Sequence, residues 1–222
     1  MKNILVLGGT GAMGSHLVQL LAERGDKVSV TTRSSQGPSA DIEYIQGNAR
    51  EDSFLDPILA RKWDAIVDFM VYTTPDFERR ASKLLASTNQ YLFLSSARVY
   101  AESTEPIGED SPRLLDICVD SKFLATDEYA LAKARQENIL KQSGRHNWTI
   151  IRPYITYGEQ RLQLGVLEKE GWLYRALQGR TIVFSKDIVG KLSTLTYGLD
   201  VAAAIAALIG NTRALGEAYQ IT

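Results

Sequence analysis

Cysteine is nearly missing from this chain: Cys118 stands alone among 222 residues. With no second thiol the chain can close no intrachain disulfide, and it can build neither a dithiol redox pair nor a cysteine-rich metal site. Histidine is almost as scarce. His16 and His146 are far apart in sequence and lack companion ligands, so both read as structural or surface residues and no metal is expected. An excess of charge is missing too. Twenty-five basic against 26 acidic residues leave a net charge of −1, which gives no pull towards a polyanion, and no nucleic acid partner is expected. No apolar run approaches the ~20 residues of a membrane helix, and the opening residues show no basic-apolar-small export pattern. A cytoplasmic protein without membrane association is therefore expected. There is no internal repeat and no low-complexity segment.

What is present is ordinary globular material, 45% hydrophobic and 23% charged over 222 residues, enough for one generous domain or one domain with a small appendage. The most informative stretch is Lys2 to Leu17, KNILVLGGTGAMGSHL. An apolar run from Ile4 to Leu7 meets glycines and resumes as a helical pattern, which reads as strand, tight turn and helix start. Gly8, Gly11 and Gly14 are spaced G-x-x-G-x-x-G. The first lets the chain turn, the second lets backbone approach a ligand, and the third lets the helix lie close on the strand. The helix start then offers unpaired N–H groups and a positive dipole end to a pyrophosphate. Thr10, Ala12 and Met13 complete the candidate cofactor turn. A tight strand-to-helix turn without a ligand is the alternative reading of the glycines alone.

Down the chain, strand and helix patterns alternate. A helical stripe from Ala12 to Arg24 ends at Gly25, and Lys27 to Thr32 alternates as a second strand. The residue after such a strand selects the cofactor: an acid bonds a ribose 2′-OH, whereas a basic group accommodates a 2′-phosphate. Arg33 stands there with no acid beside it, which tilts the choice from NAD towards NADP. A loop from Ser34 to Ala40 leads to a third strand, Ile42 to Gln46, which ends in Gly47-Asn48-Ala49. A helix is predicted over Asp52 to Arg61, a buried strand over Ala65 to Met70 with Asp68 as an acid of no evident role, and a helix opened by Thr74-Pro75-Asp76. Tyr91 to Leu94 is a fifth strand running into Ser95 and Ser96.

Strands separated by helix-length crossovers imply a parallel, doubly wound α/β sheet of Rossmann type, whose ligands lie at the carboxyl ends of the strands. That puts Ser96 on the same edge as the glycine turn. The stretch from Ala101 to about Thr126 is too long for a plain connection, and a segment near Leu114 to Ala125 is expected by the active-site edge. Thr126 should cap a helix from Asp127 to about Gln142, in which Tyr129 and Lys133 lie four apart on one face. Asn147 to Ile151 is a sixth strand ended by Arg152-Pro153. A helix is expected near Leu164 to Leu177, a strand over Lys191 to Tyr197, an apolar helix from Asp200 to Gly210 and a last strand over Ala218 to Ile221.

The order G-x-x-G-x-x-G, a serine-ended fifth strand and then Tyr-x-x-x-Lys resembles the short-chain dehydrogenase/reductase superfamily. SSARVY at 95–100 and RPYITYG at 152–158 are similar to its extended, epimerase/dehydratase-like branch, and the resemblance covers essentially the whole chain. It implies Ser96, Tyr129 and Lys133 as catalytic residues. It also implies that Met70, Tyr129, Lys133 and Pro153 touch the cofactor together with the glycine turn, Arg33 and Asn48. Lys133 and an oxidised nicotinamide would lower the Tyr129 pKa so that the phenolate could take a hydroxyl proton while Ser96 holds the oxygen. The implied substrate is a nucleotide-diphosphate sugar, epimerised or reduced at a keto group, with Ser96 and Arg161 as substrate contacts. The alternatives are a reductase of a non-nucleotide carbonyl compound and a catalytically silent NADP-binding regulator. Where the branch's dehydratases carry an acidic pair after a threonine, this chain has Ser96-Ala97-Arg98, which disfavours dehydration. Residues 1–158, with 187–210 returning, are expected to form the dinucleotide domain. Residues 159–186 and 211–222 would form a partial, apparently incomplete substrate region. A homodimer through the Tyr129 helix and the Pro75 helix is implied as well, with Leu131 as the apolar hint.

Overall fold

The computed structural model describes residues 1–37, 39–159 and 161–222. Its first half alternates as expected: β1 (Asn3–Leu7), α1 (Gly14–Glu23), β2 (Lys27–Thr32), β3 (Ile42–Gln46), α2 (Asp52–Leu59), β4 (Trp63–Asp68), α3 (Thr74–Ala86) and β5 (Thr88–Leu94). Two short helices follow, α4 (Leu114–Ile117) and α5 (Ser121–Leu124), and then α6 (Tyr129–Lys141), β6 (Trp148–Pro153) and β7 (Ile155–Tyr157). The chain closes with β8 (Gln163–Leu164), β9 (Leu167–Glu168), α7 (Lys169–Leu177), β10 (Leu195–Tyr197), α8 (Gly198–Leu208) and β11 (Glu217–Ile221). Seven strands form one sheet in the order β11-β6-β5-β4-β1-β2-β3. Every neighbouring pair in it runs parallel. This is the doubly wound α/β architecture, and its strand order reverses between β1 and β4, where such sheets open a ligand crevice.

The pleat divides the core into two layers. Along β1, Ile4 and Val6 face the layer of α1 and α8, with Leu17, Leu21, Val201 and Ile205. Leu5 and Leu7 face the opposite layer of α2, α3 and α6, with Leu55, Leu84 and Leu140. Alternate residues of a strand point to opposite faces, so an unbroken apolar run is what a strand covered on both sides requires. The second layer is anchored by Phe77, Tyr91 and Phe93, all at 0% exposure, with the Phe77 and Phe93 ring centroids 5.0 Å apart. Side chains of this size contribute roughly 1.5–3 kcal/mol each when fully buried. Asp68 has its explanation here: at the end of β4 it accepts hydrogen bonds from the Tyr91 hydroxyl at 2.7 Å, the Tyr72 hydroxyl at 3.0 Å and the Met70 N–H at 2.9 Å.

Several boundaries differ from expectation. The final strand does not belong to a substrate region: β11 lies beside β6, from Glu217 opposite Thr149 to Ile221 opposite Pro153. The Gly216 N–H bonds the Trp148 carbonyl at 2.7 Å and Ile221 joins the first core layer, so Glu217–Ile221 complete the central sheet. The α6 helix begins at Tyr129, and its cap is Glu128, which accepts from the Ala130 N–H, rather than Thr126. In α3 the capping hydroxyl is that of Thr73, which accepts from the Asp76 N–H at 3.3 Å, while Thr74 bonds Asp127. The helix expected over 164–177 is preceded by the β8–β9 hairpin and shrinks to Lys169–Leu177, none of whose residues is buried. The strand expected over 191–197 shrinks to Leu195–Tyr197. No helix among the described residues is long and apolar enough to cross a membrane. Leu131 is fully buried within the single chain, so it marks no dimer face.

Candidate active site

At the carboxyl end of β1 the glycines play separable parts. Gly8 has a φ of +71°, in the left-handed region that a side chain resists. A Cβ on Gly14 would sit 2.7 Å from the backbone of Gly9, so only glycine lets α1 lie this close to the turn. A Cβ on Gly11 would meet nothing within 4 Å; the backbone there faces open space, as ligand approach requires. Gly9, which the sequence reading passed over, is equally constrained, because a Cβ would lie 2.7 Å from Val6 Cγ1 and 2.9 Å from Val30 Cγ1. Met13 contributes no side-chain cap to α1, and the first turn holds no acid. The helix start thus offers backbone donors and a positive dipole end with no side chain competing for them. A pyrophosphate fits this cradle.

Across the sheet edge lies a cavity of about 920 Å³, bordered by Met13 of the glycine turn and by Ser96, Tyr129, Lys133, Pro153 and Arg161. Six positions spread over 149 residues of sequence therefore meet at one place. Met70 packs over the turn, its sulfur 3.1 Å from the position of a Cβ on Gly8. Arg33 is exposed just beyond β2. Asn48 is engaged locally: its carbonyl accepts from the Arg50 N–H at 3.1 Å and its amide donates to Glu51 at 2.9 Å. Arg161 donates to both oxygens of Glu168 and to the Thr156 hydroxyl. The segment of the long connection that borders the cavity is 103–107. Residues 114–125 pack elsewhere on α6, where Arg135 bonds the Leu124 and Thr126 carbonyls, so the expectation for that segment is corrected.

The electrostatics depart from the simple tyrosine-lysine picture. Burial raises the Tyr129 pKa above that of a free phenol, against the opposing pull of the Ser96 hydroxyl and the Arg98 and Arg161 guanidinium groups. Lys133 is engaged by other groups. Its ammonium donates to the Leu94 carbonyl at 2.6 Å and stands 4.5 Å from the Phe93 ring centroid but 6.0 Å from that of Tyr129. Burial also brings the Lys133 pKa down to about 8, with Asp68 and Glu137 holding it from falling further. Arg98 also stands over the phenol ring, at 5.3 Å from the centroid.

A buried charge network holds these groups in place. Glu137, at 0% exposure, accepts from the Ser95 hydroxyl at 2.6 Å and from Arg152 at 2.9 and 2.8 Å. Arg113 adds a longer contact at 3.2 Å, and Arg152 also donates to the Tyr100 hydroxyl at 2.8 Å. The network ties the end of β5, next to Ser96, to β6 and to the helix bearing Tyr129 and Lys133. Sequence reasoning missed it. The available signal was an arginine closing an apolar strand and a glutamate one helical turn beyond Lys133.

Comparison with known proteins agrees with this architecture. The model of the NAD dependent epimerase/dehydratase family matches residues 4–222, and the chain belongs to that family. Among curated relatives, the chloroplast stem-loop binding protein of 41 kDa b from Arabidopsis thaliana is 28% identical over 238 residues; the match takes in 100% of this chain but 58% of that protein's length. A UDP-N-acetyl-alpha-D-glucosaminuronate decarboxylase from Bacillus cytotoxicus is 27% identical over 236 residues, covering 93% of this chain and 71% of the relative. Among solved structures, an epimerase of Methanothermobacter thermautotrophicus superposes with a TM-score of 0.79 at 18% identity, covering 99% of this chain and 71% of the other, a likeness of fold.

Proposed function

We propose that this chain is an oxidoreductase of the epimerase type that acts on a nucleotide-diphosphate sugar with a nicotinamide dinucleotide, either inverting a ring carbon or reducing a keto group. The observation that carries the reading is the shared cavity: Met13 of the phosphate-binding turn and the trio Ser96, Tyr129 and Lys133 border one space. Family membership and the resemblance to a UDP-sugar decarboxylase support the substrate class. When bound, the nicotinamide accepts or returns a hydride. Gly8, Thr10, Gly11, Ala12, Met13 and Gly14 would hold the pyrophosphate, Met70 and Pro153 would border the cofactor, and Asn48 would meet the adenine on giving up its local bonds. Arg33 favours the 2′-phosphate of NADP.

Ser96 orients the reacting oxygen, and Tyr129 gives or takes its proton. The phenol, whose pKa burial raises, is protonated at neutral pH and can serve as the acid when a keto group is reduced. Arg161 reaches the substrate diphosphate by exchanging its Glu168 partner, and residues 159–186 form the sugar side. This reading includes a cytoplasmic homodimer, which sedimentation of the purified protein would test.

Candidate nucleotide sugars supplied with each nicotinamide form test the reading. Isomer interconversion without net change in nicotinamide absorbance identifies the epimerase, and stoichiometric NADPH consumption identifies the reductase. The Tyr129→Phe variant should keep cofactor and lose turnover. A second reading is a cofactor-binding protein without turnover, beside which stands a relative whose name gives stem-loop binding and no reaction; there, cofactor would bind and no sugar would react.

A further inference from the structure

We propose that Arg98 is a specificity-determining residue that selects, among nucleotide sugars, those whose sugar ring carries a carboxylate. This rests on the nucleotide-sugar reading above and names the kind of sugar. The charges around the cavity supply the reason. Among the described residues that border it, Arg98, Lys133 and Arg161 are cationic and Glu105 is the one acid. Two of the three cations are committed. Lys133 is buried, and its ammonium donates to the Leu94 carbonyl at 2.6 Å. Arg161, the group assigned to the diphosphate, uses Nε, Nη1 and Nη2 together on Glu168 and the Thr156 hydroxyl.

Arg98 has donors to spare. Its side chain is 62% exposed, and among the described residues its guanidinium meets one acceptor, a Glu128 oxygen reached by Nη2 at 2.6 Å. The other oxygen of Glu128 accepts from the Ala130 N–H at 2.7 Å, so the acid is fastened to the first turn of α6 and holds the guanidinium in place. The Nη2 group carries a hydrogen on each side of the guanidinium plane's fork. With one given to Glu128, the other and its neighbour on the same side form a complete pair of parallel donors, the geometry that grips a carboxylate. Position decides what such a carboxylate belongs to. The Arg98 N–H donates to the Ser96 hydroxyl at 3.2 Å, and the guanidinium stands 5.3 Å from the Tyr129 ring centroid. An anion held there lies beside the groups assigned to the reacting oxygen. A uronic acid carries its carboxylate on a ring carbon next to one that bears a hydroxyl, so the free fork takes the acid group while Ser96 and Tyr129 meet that hydroxyl. A neutral hexose offers a hydroxymethyl group instead and leaves the fork to water.

The test is titration calorimetry of the full chain, saturated with NAD+, against two matched pairs: UDP-glucuronic acid with UDP-glucose, and GDP-mannuronic acid with GDP-mannose. A hydrogen-bonded charge pair discriminates by roughly ten- to a hundredfold, and the exposure of Arg98 puts the effect at the lower end. In at least one pair the acid should bind about tenfold more tightly than its neutral partner. That preference should shrink to about twofold or less in Arg98→Met. It should grow in Glu128→Gln, which keeps an acceptor for the Ala130 N–H and removes the competing negative charge; a merely structural role for Arg98 predicts no such opposite shifts. Equal affinities within each pair for wild type, or a preference that survives in Arg98→Met, overturn the inference and leave the nucleotide-sugar reading in place. Binding of none of the four compounds overturns both.

Discussion

Replacing Glu137 by Gln keeps shape and removes one buried negative charge. In the native protein that carboxylate faces Arg152, whose own exposure is 2%, through two bonds of 2.9 and 2.8 Å. Burial works against the charged form of Glu137, but hydrogen bonds and charge from Arg152, with the Ser95 hydroxyl and Arg113, outweigh it and hold the pKa below the usual glutamate value. Once the acid becomes an amide, Arg152 keeps its charge with only neutral acceptors left, one glutamine oxygen, the Tyr100 hydroxyl and the Glu109 carbonyl. Breaking a buried pair from one side costs about 3–5 kcal/mol. For a domain of this size that corresponds to a melting temperature lower by roughly 6–20 °C.

The pH dependence has a fixed sign. The carboxyl is more acidic folded than unfolded, so its contribution is fully present above the unfolded value of about 4.3 and is lost as pH falls through the lower folded value. The gap between wild type and Glu137→Gln, measured by urea denaturation, should be constant from pH 8 to pH 5 and narrow below about pH 4. The double variant Glu137→Gln, Arg152→Met should be destabilised by less than the sum of the single changes, because it removes the stranded charge. A loss under about 1 kcal/mol at pH 7, or strict additivity, would refute the account of this network.

Three further outcomes follow from the same geometry. Gly14→Ala places a methyl 2.7 Å from the Gly9 backbone and should destabilise the fold by about 1–3 kcal/mol in chemical denaturation; a neutral effect would mean that α1 sits further from the turn. Lys133 titrates near 8 because burial disfavours its charge, so the unfolded chain holds its proton to higher pH. Wild type should gain up to about 3 kcal/mol relative to Lys133→Met between pH 7.5 and 10.5, and a flat difference would count against that burial. Arg33→Ala should weaken NADPH binding about tenfold with little effect on NADH, read by fluorescence of the bound nicotinamide; equal affinities before and after would remove Arg33 from the site.

What could be read from the chain, and what could not, divides by the range of the interactions. The glycine turn was legible because its constraint is local: φ at Gly8 and the close approach at Gly14 involve neighbours within six residues. The same holds for Tyr129 and Lys133, whose helical spacing fixes a shared face. The cap of α6 was misplaced because a threonine is the stronger capping type, whereas the observed cap, Glu128, is also engaged by Arg98 on a distant loop. The partnership of Glu137 with Arg152 depends on α6 crossing β6, and the role of Asp68 on tyrosines contributed by β5 and by the loop after β4; the chain shows the charged residues but does not pair them. The last strand was recognised as a strand and assigned to the wrong unit. Its place beside β6 depends on sheet order rather than on its own residues.

The most direct measurement of the central claim uses Gly11. A Cβ there meets no protein atom within 4 Å, so Gly11→Ala should fold like wild type while filling the space that a pyrophosphate needs. Titration calorimetry of NADH and NADPH into both proteins, alongside their melting curves, should show binding to wild type, a loss of at least about tenfold in affinity for the variant, and unchanged melting. Equal affinities in the two proteins, or no nicotinamide binding by wild type, would contradict the account.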